Sequence, residues 1–207
     1  MGVGVIERAY DLQDRLRTRI FTWLLAGQFK RFGLGSRISP PFRFRGLHQM
    51  VFGEGVRIHE NCWLQTVDDA DGNEAPKLVI HSHTGIGMGA QISAARQIVL
   101  GEYVLLGRNV FISDHSHAFQ DPDIPIVQQG IDGIAPVSVG AHTWLGHNAV
   151  VLAGVTIGRH CVIGANSVVK TSIPDYSVAV GAPAQVVKKF DPLSKKWEPP
   201  HRLSSNS

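Results

Sequence analysis

Residues 139–174 read, in sixes, VGAHTW, LGHNAV, VLAGVT, IGRHCV, IGANSV and VKTSIP. An aliphatic residue returns without a slip at Val139, Leu145, Val151, Ile157, Ile163 and Val169. Gly follows it at Gly140, Gly146, Gly158 and Gly164, and a small or β-branched residue stands four places on at Thr143, Ala149, Val155, Cys161 and Ser167. A period of six fits neither a helix nor an alternating strand. It fits a solenoid whose hexads each form one short strand and a corner, with every coil lying on the last. The aliphatic residue then points inward and stacks on its equivalents, and the adjacent glycine is expected to supply the bend. A β-sandwich spaces its strands less regularly, at roughly 8–12 residues.

Working outward, hexads begin at Phe52, Ile58 and Leu64 and resume at Ile80, Ile86 and Ile92. They slip by two residues, as a corner insertion would, and continue at Leu100, Leu106 and Ile112. Two stretches leave the pattern: the acidic loop 67–77 (VDDADGNEAPK) and a long excursion over 113–136. An excursion of that length in a compact repeat is more often functional than accidental. Residues from about 5 to 33 carry a helical stripe of Leu12, Leu16, Ile20 and Leu24, widened by Trp23, Leu25 and Phe29 and interleaved with arginines. Gly33 and Gly35 are expected to end that helix, and 36–48 to connect it to the first coil. The expected organisation is 1–48 for helix and connector, 49–190 for the solenoid, and 191–207 for a polar, frayed tail.

The totals bound the function. Net charge is +3 and charged residues make up 18% of 207, which is too mild a balance to imply nucleic acid. Cys62 and Cys161 hold the same phase of their hexads and read as small core residues, so a reducing, cytoplasmic setting is expected. No apolar run approaches the roughly 20 residues of a membrane span, and the run Ile20–Leu25 is too short for a signal peptide. The basic amphipathic N-terminus suits either a cap on the solenoid or a partner subunit, or peripheral contact with an anionic membrane. The acidic loop lacks the Glu that a calcium loop needs at its twelfth position.

Chemistry is expected where the excursion leaves the repeat, at Asp114-His115-Ser116-His117. Histidine beside a carboxylate makes a general base with a fixed tautomer.

The hexads, the His-bearing excursion, the run AxTWLGxxxxVLxGVTIGxxxVIGAxSVV over 141–169 and the closing GAPAQVV resemble the left-handed β-helix acyltransferases of the maltose and galactoside O-acetyltransferase type. The branch that acetylates surface polysaccharide and lipopolysaccharide is most similar. The resemblance covers about residues 50–190 and implies an all-β fold, a left-handed parallel β-helix with an N-terminal helix and a protruding loop. It implies direct transfer of acetyl from acetyl-CoA to a sugar hydroxyl, with no metal and no acyl-enzyme. His117 fits the family's base position best, with His115 one step off register and Asp114, or a carboxylate from another chain, to orient it. Oxyanion donors are expected among main-chain N–H groups near Gly146. The acetyl-CoA cleft is expected at Trp144, Gly146, Gly164, Ala165 and Ser167, with Lys170, Lys188 and Lys189 available to its phosphates. The family cleft lies between subunits, which implies a homotrimer.

Three other readings remain, one of them a non-catalytic β-helix scaffold. A sugar-nucleotide N-acyltransferase differs mainly in its acceptor. A zinc hydratase similar to the γ-class carbonic anhydrases is suggested by His81, His83, His142 and His147, although His142 is fourth and His147 third in its hexad, which does not match that family's phase.

Overall fold

The computed structural model describes residues 4–67 and 75–200. The chain is a left-handed parallel β-helix with one N-terminal helix. Each coil places one short strand in each of three sheets. Register is carried by one inward side chain per strand. The first sheet stacks Phe52, Ile80, Leu100, Val139 and Ile157. The second stacks Ile38, Ile58, Ile86, Leu106, Leu145, Ile163 and Ala179. The third stacks Leu64, Ile92, Ile112, Val151 and Val169. All are buried, and burial of a Val, Leu or Ile side chain stabilises by about 1.5–3 kcal/mol. Thr143, Ala149, Val155, Cys161 and Ser167 are buried beside them, as their phase requires. Burial pushes the Cys62 thiol up to about 11 and raises that of Cys161, so both remain protonated core residues.

The hexad glycines do a different job from the expected one. The left-handed backbone falls two residues later, at His142, Asn148, His160 and Asn166. The glycines instead allow coils to approach: a Cβ on Gly140 would lie 2.5 Å from the Arg159 nitrogen, and one on Gly146 would lie 2.6 Å from that of Ala165. The left-handed residues form two columns. At the corner between the first and second sheets, rings stack through His83, Tyr103, His142, His160 and Tyr176. At the corner between the second and third sheets, Asn109 donates to Asn148 (3.2 Å) and Asn148 to Asn166 (3.0 Å).

Both ends differ from the sequence reading. The segment expected to be a connector is a full coil: strands Arg31–Phe32, Arg37–Ile38 and Arg43–Arg45 pair with the coil above. The solenoid therefore starts at 31, not 49. Helix α1, Val5–Ala26, is shorter than expected, because Phe29 leaves the helical path to pack on Phe32 and Phe52 at the open end. The face of α1 buried on the solenoid carries Thr18, Thr22 and Leu25, not the leucine stripe. Thr22 Oγ1 accepts from the Ile38 N–H (2.9 Å) and donates to the Ile38 carbonyl (3.3 Å). Part of the expected tail is also ordered: Lys196–Glu198 pairs antiparallel with Ala184–Asp191, whose Phe190 packs on Trp197.

The interruptions share one place. The loop 67–77, the slip at 95–97 and the excursion all leave the third sheet and return to the first. Most of the acidic loop, residues 68–74, lies outside the described residues, and so does the question of its ligands.

Candidate active site

The slip after Ala94 builds the site. Its two additional residues turn three successive amides inward onto one carboxylate. The Ala95 N–H donates to Asp114 Oδ1 (2.7 Å), and the N–H groups of Arg96 and Gln97 donate to Oδ2 (2.8 Å each). Such a run of N–H groups is a nest for an anion. Asp114 is fully buried. Burial alone would raise its pKa, but the His115 hydrogen bond and the amides of Ala95 and Arg96 outweigh it and hold the carboxyl below its ordinary value.

Asp114 Oδ1 lies 2.8 Å from His115 Nδ1. An ionised carboxylate only accepts, so Nδ1 carries the proton and Nε2 is left with a lone pair. Nε2 is 3.4 Å from Ser93 Oγ, which in turn accepts from Gln65 Nε2 (2.8 Å). Ser113 Oγ donates to the His115 carbonyl (2.8 Å), and the Ala135 N–H donates to the Asp114 carbonyl (2.9 Å), which fixes the root of the excursion. The His115 ring is 10% exposed and opens into a cavity of about 520 Å³ walled by Gln65, Phe111, Leu152 and Ala153. Pockets of that size hold small ligands.

His117 lies on the same cavity but is differently held. It sits on the strand Ser116–His117, paired antiparallel with Ile131–Asp132, and its exposed ring makes no hydrogen bond among the described residues. The buried imidazole held by a carboxylate is thus His115, whereas His117 is exposed. Sequence reasoning missed Ser93, Gln65 and the three amides; the slip in the hexads was the available signal.

The expected cofactor residues stand elsewhere on the chain. Trp144 is half-exposed on the outer face of the second sheet, between Leu105 and Val162. Gly164 and exposed Ala165 follow at the next corner, and Lys170, Lys188 and Lys189 are exposed beyond it. None of them lines the His115 cavity. One expectation fails on packing. Ser167 is fully buried, and its hydroxyl accepts from the Gly181 N–H (3.1 Å), so it faces the core. The Gly146 N–H itself donates to the Ile163 carbonyl (2.8 Å).

The four histidines of the metal reading are not assembled. His83 and His142 stack on opposite sides of Tyr103, and His147 Nδ1 accepts from the Arg108 N–H (2.8 Å). No cluster of three or more metal-binding side chains occurs among the described residues.

Coils and corner insertions are those of a hexapeptide-repeat protein, and the comparisons place it in a family. Residues 136–171 match the family model for bacterial transferase hexapeptide (six repeats). The chain is 32% identical over 169 residues to a galactoside O-acetyltransferase of Lactococcus lactis, covering 81% of this chain and 67% of the relative. It is 38% identical over 187 residues to the "Probable acetyltransferase Rv3034c" of Mycobacterium tuberculosis, covering 84% of this chain but 60% of that protein's length. The fold matches AntD, an N-acyltransferase from Bacillus cereus solved with dTDP-4-amino-4,6-dideoxyglucose and coenzyme A, at a TM-score of 0.69 and 21% identity over 82% of this chain and 88% of that one. The chain belongs to the bacterial hexapeptide-repeat acetyltransferase family.

Proposed function

We propose that the protein transfers an acetyl group from acetyl-CoA directly to a sugar hydroxyl, with His115 as general base. One observation carries the reading: a buried imidazole whose Nδ1 is held at 2.8 Å by a carboxylate that three amides keep ionised. Nε2 takes the proton of the acceptor hydroxyl as that oxygen attacks the thioester carbonyl. The tetrahedral intermediate collapses, the C–S bond breaks, and the imidazolium returns the proton to the leaving thiolate. Asp114 stabilises the imidazolium and keeps the tautomer. Ala153 lies on the cavity wall and makes no hydrogen bond among the described residues, so its amide is the candidate oxyanion donor.

Trp144 does not line the His115 cavity, which supports a homotrimer in which the third-to-first corner of one subunit faces the second sheet of the next. Acetyl-CoA then lies against Trp144, Gly164 and Ala165 of that neighbour, with lysines toward its phosphates. The exposed Phe119, Ile126 and Val127 of the excursion are the apolar contacts such an arm needs. No helix among the described residues is long and apolar enough to cross a membrane. The acceptor we favour is a lipid-linked surface glycan, met at the inner membrane face through α1. An amine acceptor would arrive protonated and need the same base.

The test is release of CoA thiol with a panel of free, nucleotide-linked and lipid-linked sugars, amino sugars included. His115→Ala is expected to abolish acceptor-dependent release while His117→Ala keeps it. Full activity in His115→Ala removes the base assignment, and silence toward every acceptor removes the transferase reading.

A further inference from the structure

Two pairs of like charges face each other at the N-terminal end of the solenoid. Arg37 and Arg57 are direct partners in the parallel ladder of the second sheet, both exposed. Like charges directly opposite on neighbouring strands repel. Above them, Arg15 and Arg19 stand four apart on α1, where like charges also repel. The hydrogen bonds between Thr22 and Ile38, with one from Thr18 to Ser39 (3.3 Å), fix α1 over this strand and so hold the two pairs together. They wall one hollow of about 460 Å³. Asp14 and His59 also line it, so four guanidiniums meet a single carboxylate. Among the described residues none of these four arginines forms an ion pair. Folding has concentrated positive charge here with too little internal compensation, and an external anion is the economical partner. Guanidinium forks match phosphate oxygens in pairs.

The same helix says where the phosphate comes from. Leu12, Leu16, Ile20, Trp23 and Leu24 lie on the side of α1 away from the solenoid and are more than half exposed. An arginine-bordered apolar stripe with a tryptophan is the form of a helix lying in a membrane interface. We infer that the hollow between α1 and the first two coils binds a phosphate or diphosphate group, presented by a lipid whose apolar part meets the outer stripe of α1. The lipid source rests on the membrane contact proposed above; the anion site does not, and neither depends on the transfer chemistry.

The experiment uses the full chain and two probes. Inorganic pyrophosphate is titrated by calorimetry without vesicles. Vesicles of phosphatidylcholine, alone or with about 30% phosphatidic acid, are tested by co-sedimentation. The wild-type protein is expected to bind pyrophosphate and the acidic vesicles but not the neutral ones. Arg37→Gln/Arg57→Gln is expected to weaken both at least about tenfold, by loss of charge-assisted contacts. Leu16→Ser/Trp23→Ser is expected to lose the vesicles and keep pyrophosphate. Pyrophosphate binding without vesicle binding keeps the site and overturns its lipid source. Equal binding of both probes by wild type and the arginine double variant overturns the site. So does dissociation of the oligomer in that variant by light scattering, since the arginines would then face a subunit.

Discussion

Two corners of this solenoid have the same neighbours and opposite histories. The corner between the second and third sheets turns through Asn61, Gly89, Asn109, Asn148 and Asn166, every one in the left-handed region, with no insertion. The corner between the third and first sheets is interrupted after three successive coils, at 67, 95 and 114. Yet the strands on either side keep register throughout: Ile92 still pairs with Ile112, and Leu100 with Val139. A corner that already points outward can be lengthened at the small cost of loop closure, because the inward columns fix where the chain must resume. The regular corner therefore records what stacking needs, and the interrupted one what chemistry needs.

The sharpest way to break that contrast is at the irregular corner. His115→Ala is expected to lower turnover by about 10²–10⁴-fold, the range for a lost general base. His117→Ala should stay within about threefold, since its ring is exposed and unbonded. Thiol release under saturating acetyl-CoA measures both, and equal loss in the two would dissolve the distinction between them.

Asp114→Asn comes next. It removes the ionised acceptor from three buried amides and leaves an N–H₂ facing donors, a loss of about 1–3 kcal/mol read from urea unfolding. The same residue sets an acid limb. Its folded pKa lies below the unfolded value of about 3.9, so its stabilisation is complete above that value and is lost as pH falls through the lowered one. Wild-type stability should fall on acidification in that range, and Asp114→Asn should lack that component.

At the regular wall the expected losses are structural only. Gly146→Ala puts a methyl 2.6 Å from a backbone nitrogen of the next coil, which forces coils apart at about 1–3 kcal/mol. Thermal unfolding reads it, with catalysis falling only as the fold does. Asn148→Ala is the smallest, about 1–2 kcal/mol for placing an ordinary residue in the left-handed region. Asn148→Gly should recover most of that, because glycine accepts the conformation; no recovery would mean that the amide ladder, not the backbone, holds this corner.

Much of this was legible in the hexads. Phe52 through Val169 fell in phase because inward packing repeats the same steric demand at each coil. The first coil was less legible, although Phe32, Ile38 and Phe44 keep the spacing of six. Arginines at its outward positions and a helical pattern running into it masked the period. Which of His115 and His117 is held by a buried carboxylate was not legible at all. It depends on amides 17–19 residues earlier in the chain, brought under Asp114 by the stacking of one coil on another. The slip announced an insertion but not that its backbone would serve a carboxylate. The inward turn of Ser167 was missed for a related reason: in a solenoid, alternate residues of one motif face opposite sides of the wall.

The column of rings at the first corner reaches past the last full coil. From Tyr176 it continues through Phe190 to Trp197, so the C-terminal strands are joined to the same stack as His83. Each of the coils from 78 to 169 contributes one ring to it. A gene segment of about eighteen residues, three hexads long, could thus be duplicated or lost with the column merely lengthened or shortened by one step. The terminal hairpin would dock on whichever ring came last. The fold carries within that one corner the means of changing its own length.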